Sequence, residues 1–355
     1  MKIALIHYRY ARGGGMDSYL VDLVHGFAKQ GDSVDLWVYE QSQDLPVPEN
    51  VRVHQVKLRY WFRPFRKIAL HTQIVRDLRM SDYDLVIGVM RTAKQHININ
   101  GGAHISFARN VNGKLRHTDA IPIFFEWRTF RQVQLIIANS MKTAAEIEKD
   151  YGVPAAKIHV LYPPTNAARF NISVRTEKVE LARKFGVDQN KFSILFPSTN
   201  HKVKGLGPLL EAFSLLPRDE YELLIAGAPA GKTDFARNVK YLGYNAEMEQ
   251  LYAACDLTVL PSHYDAFGLV ISESLACGTP VLVSKTSGAS ELVDAEHGII
   301  LENLTPRGIA NGIIAARQRS FKVDEHFLRN HGLTVEQHVS AIRALAVKEI
   351  LGDRI

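Results

Sequence analysis

Residues 260–280 combine two acids with a glycine at the expected start of a helix. Asp265 lies three residues before Gly268 and eight residues before Glu273. Asp265 can accept hydrogen bonds from sugar hydroxyls, and Glu273 can accept two from a ribose diol. The first N–H groups of a helix have no partner within it and bind anions such as phosphate; here they belong to Gly268, Leu269 and Val270. A helix-capping Asp265 and a solvated Glu273 explain the same spacing equally well.

Other candidate residues follow expected strands, where open α/β sheets bind their ligands. Gly14 and Gly15 come after the first strand, and His104 comes after a pair of glycines. Lys202 and Lys204 come after the first strand of the second half. Taken alone, a single histidine is most often structural, and lysines after a strand are usually solvated.

The elements that must position these residues alternate between strand and helix. Residues 2–8 and 34–39 are expected strands, and apolar residues at helical spacing fill the interval from Gly15 to Gly31. A strand, a glycine loop, a helix and a strand in this order open a doubly wound parallel sheet.

The same alternation stops near residue 162 and begins again after Asn190. Two adjacent prolines, Pro163 and Pro164, indicate a linker there. We expect three parts: a domain over residues 1–164, a second domain over 165–334, and a final helix at about 335–355 that packs back on the first domain.

Length and composition exclude several classes of protein. The chain has 355 residues, of which 46% are hydrophobic and 23% charged, as in ordinary globular proteins. No apolar run reaches the roughly 18–20 residues of a spanning helix, and the N-terminus lacks a signal-peptide pattern. Cys255 and Cys277 are the two cysteines, so a four-cysteine zinc site is impossible and both are expected as buried thiols. We expect a cytoplasmic protein without a metal ion.

The formal net charge of +6 is unevenly distributed. Residues 1–170 carry 23 Lys and Arg against 15 Asp and Glu, a net of +8, and the remainder carries 20 against 22, a net of −2. Residues 52–80 hold eight basic residues and one acid, interleaved with aromatic residues. Such a stretch suits an anionic partner or is simply an exposed face. Its central basic residues, the candidates for acceptor or membrane contact, are Arg59, Arg63, Arg66 and Lys67.

Residues 261–293 resemble the signature of the retaining nucleotide-sugar glycosyltransferases of the GT-B fold. That signature is a glutamate, seven residues, a second glutamate, and then a Gly-x-x-Glu element. Asp265 stands in place of the first glutamate, while Glu273, Gly288 and Glu291 match the rest. The resemblance implies the GT-B architecture, in which two Rossmann-like doubly wound domains face a central cleft.

The resemblance also assigns roles to the candidate residues. It implies that Lys202 and Lys204 face the pyrophosphate of the donor, and that His104 and Asp265 orient the hexose. It places Glu273 on the ribose. The other residues implied in donor binding are Gly14, Gly15, Leu242, Gly243, Tyr244, Phe267, Gly268, Leu269 and Val270.

The implied reaction is a retaining, metal-independent hexosyl transfer that uses no cofactor. The expected donor is UDP-glucose or a similar UDP-hexose, with GDP-mannose left open. The expected acceptor is a saccharide or glycolipid in the synthesis of lipopolysaccharide or another cell-surface glycan. An anionic inner-membrane surface is a further expected partner, and nucleic acid is not.

Two other classes of function remain open from the residues alone. Residues 226–233 nearly match a P-loop, and the loop at Gly13 with Glu40 imitates a dinucleotide fingerprint. Either would make the protein a P-loop or dinucleotide-binding enzyme. The other alternative is a non-catalytic protein that binds anions or glycans on the same fold.

Overall fold

The computed structural model describes residues 1–56, 63–92, 94–229 and 236–352, with the side chains of residues 63–69 outside this description. The chain divides into two compact units. The first unit is Met1–Pro164 with Leu333–Ile355, and the second unit is Thr165–Gly332. The second unit therefore ends two residues before the boundary expected at 334.

The first unit contains a seven-stranded parallel sheet in the order β5-β3-β1-β6-β7-β8-β9. Its central strands are buried on both faces, because helices cover a parallel sheet on each side, whereas the two edge strands are partly exposed. The two short strands β2 and β4 pair beside it. The elements are β1 (Lys2–Ile6), β2 (Arg9–Tyr10), α1 (Gly15–Lys29), β3 (Ser33–Val38), β4 (Glu40–Gln41), β5 (Val51–Gln55), α2 (Arg63–Asp77), β6 (Leu85–Gly88), β7 (Ile97–Asn100), α3 (His104–Asn112), α4 (Ala120–Gln132), β8 (Leu135–Ala138), α5 (Met141–Tyr151) and β9 (Ile158–Val160).

The second unit contains a six-stranded parallel sheet in the order β12-β11-β10-β13-β14-β15. Leucine, isoleucine and phenylalanine side chains from these strands pack against α8 and α11 to form its main core. The elements are α6 (Lys178–Phe185), β10 (Phe192–Ser198), α7 (His201–Lys204), α8 (Leu206–Ser214), β11 (Tyr221–Gly227), β12 (Val239–Gly243), α9 (Met248–Ala254), β13 (Leu257–Leu260), α10 (Leu269–Ala276), β14 (Val281–Ser284), β15 (Gly298–Leu301), α11 (Pro306–Arg317) and α12 (Phe327–Asn330).

The last α-helix, α13 (Val335–Ala346), belongs to the first unit and packs against α1. The two helices approach closely at Gly26, where a Cβ atom would lie 2.7 Å from both Val335 Cγ1 and Val339 Cγ2. His338 is buried in the same contact, and its Nε2 lies 2.5 Å from the Tyr19 hydroxyl. Burial lowers the pKa of His338 to about 3, so the ring is neutral in the folded protein.

Candidate functional site

Two neighbouring strands of the second unit place the predicted lysines and Asp265 at one edge of the sheet. Strands β10 and β13 run parallel and pair at Ile194 with Leu257, so the loops that follow them emerge side by side. Gly205 allows these loops to touch, because its φ is +83° and a Cβ atom there would lie 2.2 Å from the Pro261 carbonyl oxygen.

Lys204 forms an ion pair with Asp265. The Nζ atom donates to Asp265 Oδ2, and the side chains are only 19% and 13% exposed. Lys202, on the same short helix α7, is exposed. The structure thus brings Lys204 and Asp265 into contact and leaves Lys202 facing solvent.

The start of α10 brings the helix backbone close to Asp265 and Ser287. Gly268 precedes the helix with φ +99°, a conformation that side chains rarely adopt. A Cβ atom there would lie 3.0 Å from Asp265 Oδ2 and 2.8 Å from Ser287 Oγ. Among the described residues, no side chain caps this helix. Gly268, at the start of the first turn, therefore lies beside Asp265 of the Lys204–Asp265 pair.

The loop after β14 holds this segment in place. The Phe267 carbonyl accepts hydrogen bonds from Ser287 Oγ at 2.6 Å and from the Ala289 N–H at 2.7 Å. The backbone of Asp265 also bonds the loop, because the Gly288 N–H donates to the Asp265 carbonyl at 3.1 Å. Phe267 is itself buried, so it supports the site through its backbone.

Glu273 lies on α10 and contacts α9. Its Oε2 accepts a hydrogen bond from the Tyr252 hydroxyl at 2.9 Å. Burial raises the pKa of Glu273 above its usual value, and the Tyr252 hydrogen bond opposes that rise. A carboxylate oriented in this way keeps further lone pairs for a diol.

The segment Leu242, Gly243 and Tyr244 lies at the end of β12. Gly243 has φ +70°, and no heavy atom of the described residues lies within 4 Å of its Cβ position; Tyr244 is 74% exposed. An exposed aromatic ring beside open space can stack on a planar base.

In the first unit, His104 begins α3 and is held by two carboxylates. Its Nε2 lies 2.9 Å from Asp119 Oδ1, and its backbone N–H donates to Glu126 Oε2 at 2.8 Å. The Arg116 backbone N–H and the His104 ring lower the pKa of Asp119. Asp119 therefore stays ionised beside the imidazole.

A cavity of about 460 Å³ opens at the carboxyl ends of β1, β6 and β7. Gly14 and Gly15 come directly before Met16, which lines the cavity. Gly101, which directly follows β7, lets the start of α1 approach closely, since a Cβ atom on Gly101 would lie 2.4 Å from Met16 Sδ. The first-unit glycine loop and the segment before His104 therefore meet at the cavity.

Two buried carboxylates with arginine partners form the polar walls of this cavity. Asp17 accepts from Arg9 Nη2 at 2.5 Å and lies 3.0 Å from His7 Nε2. Glu126 is fully buried and accepts from Arg91 Nε at 2.9 Å and from the Tyr151 hydroxyl. Although burial opposes it, the Glu126 carboxylate raises the pKa of Arg91.

The sequence analysis missed these cavity residues. Three of them, however, come soon after a strand, which is the signal that pointed to Gly14, Gly15 and Lys204: His7 and Arg9 follow β1, and Arg91 follows β6. Glu126 had no such signal, because it lies in the middle of α4.

Some predicted residues cannot be placed. Arg59 lies outside the described residues, and Arg63, Arg66 and Lys67 lie on α2 with side chains that are not described. The near P-loop also extends outside the described part of the chain, beyond residue 229. Within the described residues there is no group of three potential His, Cys, Asp or Glu metal ligands, and no helix long and apolar enough to cross a membrane.

The two parallel-sheet α/β units have the GT-B fold of glycosyltransferases. Two family models together match most of the chain: Glycosyltransferase Family 4 over residues 13–169, and Glycosyl transferases group 1 over residues 177–327. A probable transglycosylase of Burkholderia thailandensis is 35% identical over 283 residues, covering 79% of this chain and 77% of that protein. The chain therefore belongs to the glycosyltransferases that these two family models describe.

Further relatives and solved structures agree with that assignment. A D-inositol 3-phosphate glycosyltransferase of Pseudarthrobacter chlorophenolicus is 32% identical and covers 80% of this chain and 79% of its own. The glycosyltransferase WaaG, involved in lipopolysaccharide biosynthesis, has a TM-score of 0.78 at 18% identity, covering 98% of this chain and 96% of its own. HepE of Anabaena, in complex with UDP and glucose, has a TM-score of 0.75 at 20% identity, covering 97% and 98%. At these identities the two structures show the shared fold.

Proposed function

We propose that this glycosyltransferase moves a hexose from UDP-glucose or a similar UDP-hexose, with retention of the anomeric configuration, to a saccharide or glycolipid acceptor. The acceptor would belong to lipopolysaccharide or another cell-surface glycan assembled at the cytoplasmic face of the membrane. The observation that carries this proposal is the Lys204–Asp265 pair beside the open first turn of α10. A cation, a carboxylate and unpaired N–H groups at one point suit a sugar diphosphate.

The proposed reaction breaks the bond between the anomeric carbon and the β-phosphate oxygen, and the electron pair leaves with the nucleoside diphosphate. Positive charge develops on the sugar and negative charge on the phosphate. Lys204 and the N–H groups of Gly268, Leu269 and Val270 stabilise the departing phosphate without a metal ion. The acceptor hydroxyl attacks from the same face and gives its proton to the departing phosphate. Asp265 orients the hexose, and Glu273 holds the ribose.

The choice of a UDP-hexose rests on two supports. The chain resembles the lipopolysaccharide-core glucosyltransferases around its glycine loop and Asp265, and the similarly folded HepE has been solved with UDP-glucose. Tyr244 is exposed, so its ring can stack on the base.

The cavity of the first unit carries hydrogen-bonding groups that suit a saccharide. Arg9 and Arg91 each already have a carboxylate partner, so the charges at the cavity wall are balanced. Both guanidinium groups keep further N–H donors, and the carboxylates keep acceptor lone pairs. A wall of mixed donors and acceptors without net charge is suited to sugar hydroxyls.

The decisive experiment is product analysis. The protein is incubated with UDP-glucose and a panel of saccharide and glycolipid acceptors, UDP release is followed, and the new glycosidic bond is assigned by NMR. We expect an α-linked glucoside, because the donor is α-linked. A β-linked product contradicts retention, and transfer from GDP-mannose alone contradicts the proposed donor.

A further inference from the structure

Glu126 is a buried carboxylate that joins three elements of the first unit. It lies on α4, and its side chain is 0% exposed. Its Oε1 atom lies 2.9 Å from Arg91 Nε and 2.8 Å from Arg91 Nη2. Its Oε2 atom accepts hydrogen bonds from the His104 backbone N–H at 2.8 Å and from the Tyr151 hydroxyl. Glu126 therefore connects the loop after β6 with the start of α3 and the end of α5.

The neighbours of Glu126 keep their protons, so all of them are donors. Burial disfavours the charged form of Arg91, but the Glu126 carboxylate outweighs this effect and raises the pKa of Arg91. Burial, and then the Glu126 charge, raise the pKa of Tyr151. A buried group of donors needs an acceptor with a negative charge, and Glu126 supplies it.

Arg91 is the member of this group that a ligand can reach. Its side chain is 30% exposed, and it lines the cavity of about 460 Å³ in the first unit. Among the described residues, Glu126 is the only hydrogen-bond partner of the guanidinium group. The Nε and Nη2 atoms face Glu126, so the N–H groups of Nη1 are left for a ligand.

Glu126 also fixes the direction of the Arg91 side chain. An arginine has many rotamers, and binding a ligand through a mobile side chain costs the entropy of ordering it. Here one buried carboxylate holds two nitrogens of the planar guanidinium group, which restricts both its plane and its direction. Arg91 is therefore already ordered before a ligand enters the cavity.

We propose that Arg91 binds a hydroxyl group of the acceptor saccharide, and that Glu126 is the positioning residue that holds Arg91 in place for it. This inference rests on the proposed transfer reaction, to which it adds a named contact on the acceptor. Lys204 and Glu273, the proposed phosphate and ribose contacts, belong to the second unit. Loss of the Arg91–Glu126 pair should therefore weaken acceptor binding and leave donor binding unchanged.

Glu126→Gln separates the two functions of the carboxylate. The amide oxygen can still accept from His104 and Tyr151, whereas the amide nitrogen faces the Arg91 donors and cannot pair with them. Arg91 is then released while the start of α3 stays anchored. Arg91→Lys removes the planar contact from the other partner and keeps the positive charge.

The test is steady-state kinetics of the full chain with UDP-glucose and the saccharide or glycolipid that the wild type glucosylates fastest in the acceptor panel. In Glu126→Gln and in Arg91→Lys, the KM for this acceptor should rise about 10–100-fold. The KM for UDP-glucose should stay within about twofold of the wild-type value. The double variant should match the larger single effect, because both changes act on one guanidinium group.

Asp150→Asn is the matched control for a purely structural role. The Asp150 side chain is 3% exposed and accepts from Arg109 Nη1 at 2.7 Å and from the Ser106 hydroxyl at 2.6 Å. It therefore joins α3 to α5, as Glu126 does, but Arg109 is not among the described residues that line the cavity. Asp150→Asn should lower the thermal unfolding midpoint and leave the KM for the acceptor unchanged.

An unchanged acceptor KM in Glu126→Gln or in Arg91→Lys overturns the proposal. So do additive effects in the double variant, or equal rises in the KM values for the acceptor and for UDP-glucose. If Glu126→Gln does not fold, Glu126→Asp replaces it, since the shorter side chain keeps the charge but withdraws it from Arg91. A wild type that glucosylates no acceptor contradicts the proposed function itself, whereas a failure confined to the variants concerns Arg91 and Glu126 alone.

Discussion

Lys202 and Lys204 are two residues apart, yet their surroundings differ. Lys204 is half-buried and paired with Asp265 beside α10, whereas Lys202 is exposed. We therefore expect Lys204→Ala to lower kcat for hexose transfer by about 10²–10³, as removal of a preorganised charge at a developing anion does. Lys202→Ala serves as the matched variant and should have a much smaller effect.

Steady-state kinetics with UDP-glucose measure both variants, and thermal unfolding shows whether they fold. If the two alanine variants lose activity equally, exposure does not distinguish the lysines and the assignment of Lys204 fails. Unchanged turnover in Lys204→Ala excludes it from the reaction altogether.

The hydrogen bond from the Tyr252 hydroxyl lowers the pKa of Glu273. Burial raises the pKa of Glu273, and the hydrogen bond from Tyr252 lowers it again. In Tyr252→Phe the lowering contribution is gone, so Glu273 takes up its proton at a higher pH than in the wild type. A protonated Glu273 is a poorer acceptor for the ribose diol, so UDP-glucose binding should weaken at a higher pH in this variant.

Isothermal titration calorimetry with UDP-glucose across the acidic range measures this shift. Glu273→Ala supplies the reference, because it should bind the donor about 10–100-fold more weakly, with no contribution from this carboxyl to the pH dependence. Identical pH profiles for Tyr252→Phe and the wild type would show that Glu273 does not touch the donor.

At the scale of elements, the docking of α13 on α1 depends on the missing side chain at Gly26. A methyl group there would lie 2.7 Å from Val335 and Val339. Overpacking in Gly26→Ala should therefore lower the free energy of unfolding of the first unit by about 1–3 kcal/mol. The preference of helices for alanine over glycine offsets roughly 0.5–1 kcal/mol of that loss. Gly207→Ala is the matched control, since Gly207 also lies in a helix but has no atom of the described part of the chain within 4 Å of its Cβ position.

Tryptophan fluorescence during urea unfolding measures the stability of the first unit separately from that of the second. All three tryptophans, Trp37, Trp61 and Trp127, lie within the sequence range of the first unit. The fluorescence midpoint should fall for Gly26→Ala and stay unchanged for Gly207→Ala. A stabilised Gly26→Ala protein would mean that α13 moves aside at little cost.

Strands and helices with a strong apolar pattern could be predicted to within a few residues. The strand expected at residues 34–39 is β3, Ser33–Val38, and α1 begins at Gly15 as its glycine loop indicates. Strand β7 was missed because Asn98 and Asn100 interrupt its apolar pattern, although both asparagines are buried and Asn98 is hydrogen-bonded to the backbone of Gly88 and Met90. Burial of a polar residue depends on partners elsewhere in the chain, which local periodicity does not contain.

Part of the candidate site could likewise be predicted from local sequence, and part depends on partners elsewhere in the chain. Lys204 follows a strand, and Asp265 and Glu273 lie in the segment that resembles the family signature. Glu126 occupies a helical position with no such pattern, and its partners Arg91, Tyr151 and His104 are distant in sequence. Only the folded arrangement reveals that this carboxylate links the cavity to the start of α3.

At the scale of the whole molecule, charge and buried histidines are both unevenly distributed. The first 170 residues carry the positive charge. In the first unit, burial lowers the pKa values of His25, His71, His96 and His338. The folded first unit therefore holds these rings neutral under conditions in which the unfolded chain protonates them.

This difference makes the first unit sensitive to acid. Because the unfolded state binds more protons below pH 6.5, the free energy of unfolding is greatest above that pH and falls as the pH drops. His338 has a folded pKa of about 3. Between that pKa and pH 6.5, it therefore lowers the free energy of unfolding by about 1.4 kcal/mol for most pH units of acidification. His338→Gln removes the titrating ring, so its stability should fall by about 2 kcal/mol less than that of the wild type between pH 6.5 and pH 5.

Urea unfolding followed by tryptophan fluorescence at the two pH values measures the first unit alone. His326→Gln is the control, because His326 is exposed and lies in the second unit; its pH dependence should equal that of the wild type. Because His338 is buried as a neutral ring, acid should lower the free energy of unfolding. If acid instead stabilises the first unit, or if His338→Gln and the wild type lose the same stability, the contact between His338 and Tyr19 admits a protonated ring. Acid sensitivity would then have to come from the other three histidines, whose single variants can be measured in the same way.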